Sequence, residues 1–221
     1  MKKYKAVLFD FDGIIGKTME DNYEAWAHAF KQYNIKIRQD EYYLIEGKTT
    51  ISVAEFFLEK YKSDIFLAKE IAVAKESYYL RQNSFELYPK AIALINKIKN
   101  RGLLIGLVTG GRSQRLSNIG INDLLKQFDV IVTGDMVVEG KPSPMPYLKA
   151  TEQLRVNPSE CLVIENAPLG IMSAKNAGMD CLAICSTLGR TYLNQADFIV
   201  GCIADLFKHP SLGLNCAQEN K

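Results

Sequence analysis

Histidine is almost missing from the 221 residues: His28 and His209 are the only two, and no Cys-x-x-Cys pair accompanies them, so the usual donor sets of a zinc site are absent. An excess of one charge sign is also missing. Lys and Arg total 27 against 25 Asp and Glu, a net charge of +2 with no strong block of either sign, which argues against a nucleic-acid or membrane-surface partner. Long hydrophobic runs are lacking too. Met1-Lys2-Lys3-Tyr4-Lys5 resembles the basic start of an export signal, but Asp10 and Asp12 soon break the apolar run that follows, so neither export nor a membrane span is expected. The cysteines Cys161, Cys181, Cys185, Cys202 and Cys216 are odd in number, crowd into the last third and several sit in apolar runs. They read as reduced core residues of a cytoplasmic protein.

What is present is ample material for a core, with 48% hydrophobic residues. Short runs rich in Val, Ile and Leu recur at 6–9, 103–108, 130–132, 162–164, 182–185 and 198–200, each followed by a Gly, Asp or Thr cluster and then a helical pattern. Runs without polar alternation, separated by helices, are what a parallel sheet buried on both faces requires. The expected fold is therefore α/β, a doubly wound, Rossmann-like parallel sheet. Ile92, Ile95 and Ile98 give an amphipathic helix opened by Pro89 near its first turn and closed by Gly102.

The stretch 18–87 differs, with no strand-like run and many aromatics. Tyr23, Trp26, Ala27 and Phe30 fall at i, i+3, i+4 and i+7, and further helical patterns span 52–61 and 64–82. An all-helical module (18–87) is expected to be inserted into a core domain made of 1–17 and 88–221. The tail after Pro210 reads as irregular.

The chemistry starts at Asp10-Phe11-Asp12-Gly13, where the first apolar run ends. Carboxylates spaced i, i+2 at the C-terminal end of a buried parallel strand point the same way, into the crevice where open α/β sheets bind ligands. Like charges so close call for a cation or a proton between them; Mg²⁺ with oxygen ligands supplies the first, and Gly13 lets the chain turn around it. The plainer alternative is a strand-end turn capped by Asp. Thr109-Gly110-Gly111 ends the second run with a hydroxyl and amides suited to phosphate oxygens, although Thr-Gly-Gly is also an ordinary loop. Lys141, in Gly140-Lys141-Pro142-Ser143-Pro144, is a cation in a stiffened stretch, and taken singly a solvated lysine. Ile164-Glu165-Asn166 ends a fourth run with oxygen ligands, where Asn could instead cap the next helix.

In their order and spacing these segments, together with Ala167-Pro168-Leu169-Gly170-Ile171 and Ala174-Lys175-Asn176-Ala177-Gly178, resemble the haloacid dehalogenase superfamily, nearest its β-phosphoglucomutase-like branch with a helical cap. The resemblance runs from Val7 to about Val200. It implies an enzyme acting on a small phosphorylated metabolite with Mg²⁺ as cofactor. Asp10 would be the nucleophile that becomes an aspartyl phosphate, and Asp12 the acid and base. Thr109, the Gly110 amide and Lys141 would hold the phosphoryl group, and Asp10, the Asp12 carbonyl and the Glu165/Asn166 pair would hold the metal.

Departures from the family pattern matter. Glu165-Asn166 stands where relatives carry an acidic pair, so either metal affinity is lower or Glu165 takes over ligation. Lys17 stands where an acid is usual, either as a substrate-phosphate contact or merely exposed, and the second is expected. Asn22 and Thr50 stand where the mutase branch has a histidine and an arginine, which favours a phosphatase over a phosphomutase, with Lys48 a possible substitute for the arginine.

Two other readings are weaker. A nucleotide-binding loop ending at Gly16-Lys17-Thr18 would need glycine where Phe11 stands, and Glu46-Gly47-Lys48-Thr49 fails likewise at Tyr42. A binding protein disabled by Asn166 has no need of Asp10 beside Asp12.

Overall fold

The computed structural model describes residues 2–82, 85–118 and 120–214; Cys216 lies outside them. Six parallel strands, β1 (Ala6–Phe9), β2 (Leu104–Val108), β3 (Val130–Val132), β4 (Cys161–Glu165), β5 (Asp180–Ile184) and β6 (Phe198–Val200), form one sheet in the order β3-β2-β1-β4-β5-β6. Alternate residues serve opposite faces, as strand geometry demands. Val7 and Phe9 join one apolar layer with Ile95, Ile98, Leu162 and Leu206, while Ala6 and Leu8 join the other with Tyr147, Ala150, Val163 and Ile171. Burial on both faces is why the strands carry no polar alternation.

Helix α5 (Ala91–Lys99) covers the first face, and α8 (Met145–Leu154) and α9 (Pro168–Asn176) cover the second. Strand order switches at β1: the chain adds β2 and β3 on one side of it and then β4, β5 and β6 on the other, all parallel. The crevice beyond the C-terminal ends of β1, β2 and β4 is where such a sheet receives a ligand.

Between β1 and β2 the chain makes α1 (Met19–Lys31), α2 (Gln39–Ile45), α3 (Thr50–Lys60), a 3₁₀ turn (Ile65–Leu67) and α4 (Ala68–Gln82). These helices bury an apolar cluster of their own, with Trp26, Phe30, Phe57 and Ile71 at its centre. The two connections to the sheet run side by side. Lys17 N–H donates to the Glu86 carbonyl and Tyr88 N–H to the Ile15 carbonyl, both at 2.8 Å, and exposed Lys17 pairs with Glu86 at 3.0 Å.

Several expectations need correction. Helix α2 shows no sequence signal because seven residues are too few to display a period; Glu41 closes its start by accepting from the Arg38 N–H at 3.3 Å. Pro89 does not occupy the first turn of α5, since left-handed Lys90 (φ 70°) intervenes as the N-cap. Cys202 is exposed rather than in the core, whereas Cys161 and Cys181 are buried; these and Cys185 are free thiols. The tail is not wholly irregular, because a 3₁₀ turn (Pro210–Leu212) brings Leu212 and Leu214 into the sheet's apolar layer. Two smaller α-helices, α6 (Ser113–Asn118) and α7 (Asn122–Leu125), lie between β2 and β3. No described helix is long and apolar enough to cross a membrane.

Candidate active site

The ends of β1, β2 and β4 bring Asp10, Thr109 and Glu165 to one crevice, and Lys141 reaches into it from the segment before α8. Register does this: Phe9 pairs with Leu107 and Ile164, so Asp10 and Glu165 follow directly and Thr109 comes one residue further on, just past the end of β2. Asp10, Glu165 and Asn166 are 0% exposed and Lys141 is 2% exposed. Ionised groups survive such burial only when paired.

Lys141 Nζ donates to Asp10 Oδ1 at 2.5 Å and to Glu165 Oε1 at 2.6 Å. Burial pulls the ammonium toward deprotonation, but Asp10 and Glu165 outweigh it and hold Lys141 charged. Burial likewise pushes the Asp10 carboxyl up, and nearby Glu165 and Asp12 add to this against the lowering by Lys141.

The two members of the Glu165-Asn166 pair differ sharply. Glu165 is saturated: Oε1 also accepts from the Tyr147 hydroxyl at 2.9 Å, and Oε2 accepts from the N–H groups of Asn166 (2.9 Å) and Ala167 (3.2 Å). Asn166 instead donates its Nδ2 to Thr187 Oγ1 at 2.8 Å, which leaves Oδ1 buried without a donor. Asp10 Oδ2 is buried and unpartnered as well. Unmatched buried acceptors are costly and usually mark a missing partner. Among the described residues no three His, Cys, Asp or Glu side chains are grouped to hold a metal. The two orphan oxygens, one carboxylate and one amide, are nonetheless the donor type that a hard cation such as Mg²⁺ takes, with backbone oxygen and water completing the set. The residues therefore fit that ion through Asp10 and Asn166.

Glycines make these approaches possible. Gly13 turns at φ 80°, and a Cβ there would collide with the Asn166 amide. A Cβ on Gly170, in the first turn of α9, would occupy the position of the Glu165 carboxylate. Gly170→Ala is expected to destabilise the fold by about 1–3 kcal/mol through overpacking, read as a lower denaturant midpoint; an unchanged midpoint would show that Glu165 is not held where described.

Asp12, 2% exposed, is ringed by donors. Its Oδ1 accepts from the Thr18 hydroxyl, from Asn22 Nδ2 at 3.0 Å and from Arg115 Nη2, while Oδ2 meets the Thr109 hydroxyl at 3.4 Å. Burial would raise this carboxyl, but Arg115, Thr18 and Lys75 together hold it below the usual range. The Gly111 N–H is spent on Thr109 Oγ1 at 3.0 Å, so the Thr-Gly-Gly turn is partly self-bonded rather than wholly open to an anion.

From the helical side, Asn22, Lys48 and Thr50 line a small cavity of about 20 Å³ together with Asp12, Glu46 and Gly110. Gly47 packs against the Lys141 stem, and the carbonyls of Gly47 and Lys48 would stand 3.0 Å from a Cβ on Gly110. The insertion is thus seated directly on the sheet's crevice.

Buried Lys75, Arg115 and Glu46 were not anticipated from sequence. Burial, then Asp10 and Asp12, push the Glu46 carboxyl well up, and its Oε2 has no partner. Lys75 had a legible signal: it lies on the same buried stripe of α4 as Ile71, Ala72 and Tyr79, where a charge is out of place. Arg115 had none, being one polar residue in a short polar helix.

Comparison with known proteins places these elements in context. The family described as haloacid dehalogenase-like hydrolase matches residues 7–184. The chain is similar to β-phosphoglucomutase of Bacillus subtilis (strain 168), 31% identical with 91% of each chain covered. It is also similar to validoxylamine A 7'-phosphate phosphatase of Streptomyces hygroscopicus subsp. limoneus, 27% identical over 95% of this chain and 99% of that one. Among solved structures, CbbY from Rhodobacter sphaeroides in complex with phosphate superposes with a TM-score of 0.77 at 26% identity, covering 92% of this chain and 96% of that one.

Proposed function

The chain belongs to the haloacid dehalogenase-like hydrolases, and on that premise we propose that it is a Mg²⁺-dependent phosphatase of a small phosphomonoester, working through an aspartyl phosphate on Asp10. The observation that carries this reading is the state of the Asp10 side chain: Oδ1 is pinned by Lys141 while Oδ2 is buried with no donor. A carboxylate fixed by one oxygen and bare at the other is arranged to act as a nucleophile.

Asp10 attacks phosphorus and the ester oxygen departs with a proton from Asp12, which is held ionised in the free site and takes that proton from the bound phosphomonoester monoanion. Asp12 then takes a proton from the water that opens the acyl phosphate. Lys141 and Thr109 neutralise and orient the phosphoryl oxygens, and Glu165, held by four donors, fixes Lys141 in place. Mg²⁺, when bound, supplies charge neutralisation and a template for the phosphate; Asn166 Oδ1 and the Asp12 carbonyl, with the Asp10 oxygen that does not attack, would hold it. Glu165, with both oxygens occupied, serves from behind and not as a ligand.

Helices 18–87 act as a cap whose inward residues, Lys48 and Thr50 among them, select the substrate. Relatives named for validoxylamine 7'-phosphate, hexitol phosphate and fructose 1-phosphate support a sugar-like phosphate as substrate.

Similarity to a β-phosphoglucomutase keeps the phosphomutase as the second reading. Asn22 weighs against it, because its side chain is committed to Asp12 and Thr18. Incubation with a hexose 1-phosphate and Mg²⁺ is expected to release inorganic phosphate, and chelation of the metal to suppress that release by on the order of a hundredfold or more. Formation of the 6-phosphate isomer without free phosphate would transfer the assignment to the mutase.

A further inference from the structure

Arg115 belongs to the sheet side of the molecule, yet its side chain is inserted among the cap helices. It leaves α6 only 5% exposed and lies 4.6 Å over the ring of Tyr79 in α4. Its terminal nitrogens go to different elements: Nη1 donates to Asn22 Oδ1 in α1 at 3.1 Å and Nη2 to Asp12 Oδ1. Lys75 of α4 donates to the same Asn22 oxygen at 2.9 Å, and Asn22 returns Nδ2 to Asp12 Oδ1. One carboxylate oxygen is thus held by Thr18, Asn22 and Arg115, and a carboxyl fixed through one oxygen aims the other. The aimed oxygen, Oδ2, faces the Thr109 hydroxyl at the phosphoryl-holding strand end.

We propose that Arg115 is a positioning residue that aims Asp12 at the ester oxygen, and that it does so only when the helical cap is seated, because Asn22 and Tyr79 are carried by the cap. The inference rests on the phosphatase reading, in which Asp12 gives a proton to the departing alcohol. A guanidinium suits the task because its planar fork spans two acceptors at once; an ammonium supplies charge without that span.

The test is leaving-group dependence, which a merely structural role would not produce. An alkoxide leaves only if protonated, whereas p-nitrophenolate departs unaided. Arg115→Met is expected to lower kcat about a hundredfold on an alkyl ester, glycerol phosphate or another sugar phosphate that the wild type turns over. The same variant should lose no more than about tenfold on p-nitrophenyl phosphate, with KM within about threefold on both. Arg115→Lys, which keeps the charge and guards against a folding failure of the first variant, is expected to lie between, with the same skew.

Equal losses on both esters, a change confined to KM, full activity in Arg115→Lys, or a gain on the alkyl ester would each overturn the proposal and leave the phosphatase reading standing. A wild type inactive on both esters in Mg²⁺ would overturn that reading and this inference together.

Discussion

Asp10→Asn is expected to lower kcat/KM by at least on the order of 10⁴, while the protein stays folded and is no less stable than the wild type. The amide matches the carboxylate in shape but cannot become an acyl phosphate. The stability side follows from the surroundings. Burial already pushes the Asp10 carboxyl up, and Glu165 and Asp12 add like charge, so removing this negative charge relieves a cost borne by the ground state. Lys141 keeps its second partner, Glu165, at 2.6 Å. Phosphate release and thermal unfolding, measured on the same preparation, check both halves. Residual activity above about one percent would remove Asp10 from the nucleophile's role, and a large drop in melting temperature would mean that Asp10 is structural.

Lys141→Met is expected to be the most destabilising single change in the site, by about 3–5 kcal/mol at neutral pH, with activity reduced by roughly 10²–10³. The side chain is of similar length, so the loss is electrostatic: Asp10 and Glu165 would be left buried without the cation between them. The pH dependence has a definite sign. Asp10 already titrates above its ordinary range in the fold, and losing Lys141, which lowers it, moves it higher. A carboxyl whose folded pKa is raised contributes its stability below the unfolded value, near 4, and loses it as pH climbs through the folded value. The variant's deficit in denaturant unfolding should therefore shrink toward pH 5 and widen toward pH 8. A deficit independent of pH would attribute the loss to packing against Tyr147, whose ring lies 5.2 Å from the ammonium.

The sheet was legible from sequence because strands buried on both faces must be continuously apolar, and 6–9, 130–132 and 198–200 coincide with β1, β3 and β6. That Asp10, Thr109 and Glu165 would lie together was legible for a related reason: a parallel sheet delivers the ends of neighbouring strands to one edge, so strand-end residues far apart in the chain converge. Lys141, by contrast, comes from the segment before α8 and was named through the family resemblance. The helical insertion was visible as a long stretch with the wrong period for strands.

Other features were beyond reach because they depend on which groups meet across the seam between insertion and sheet. That Asn166 rather than Glu165 has the free oxygen depends on Tyr147 and Thr187, residues 19 positions before and 21 positions after Asn166. Arg115 is 93 residues from Asn22 and 103 from Asp12, and nothing local distinguishes it from a solvated arginine. Local pattern sets strands, helices and strand ends, because burial repeats with the backbone's own period. Hydrogen-bond partners in a closed seam follow no such period, so only the packed tertiary structure decided which oxygens are held and which stay bare.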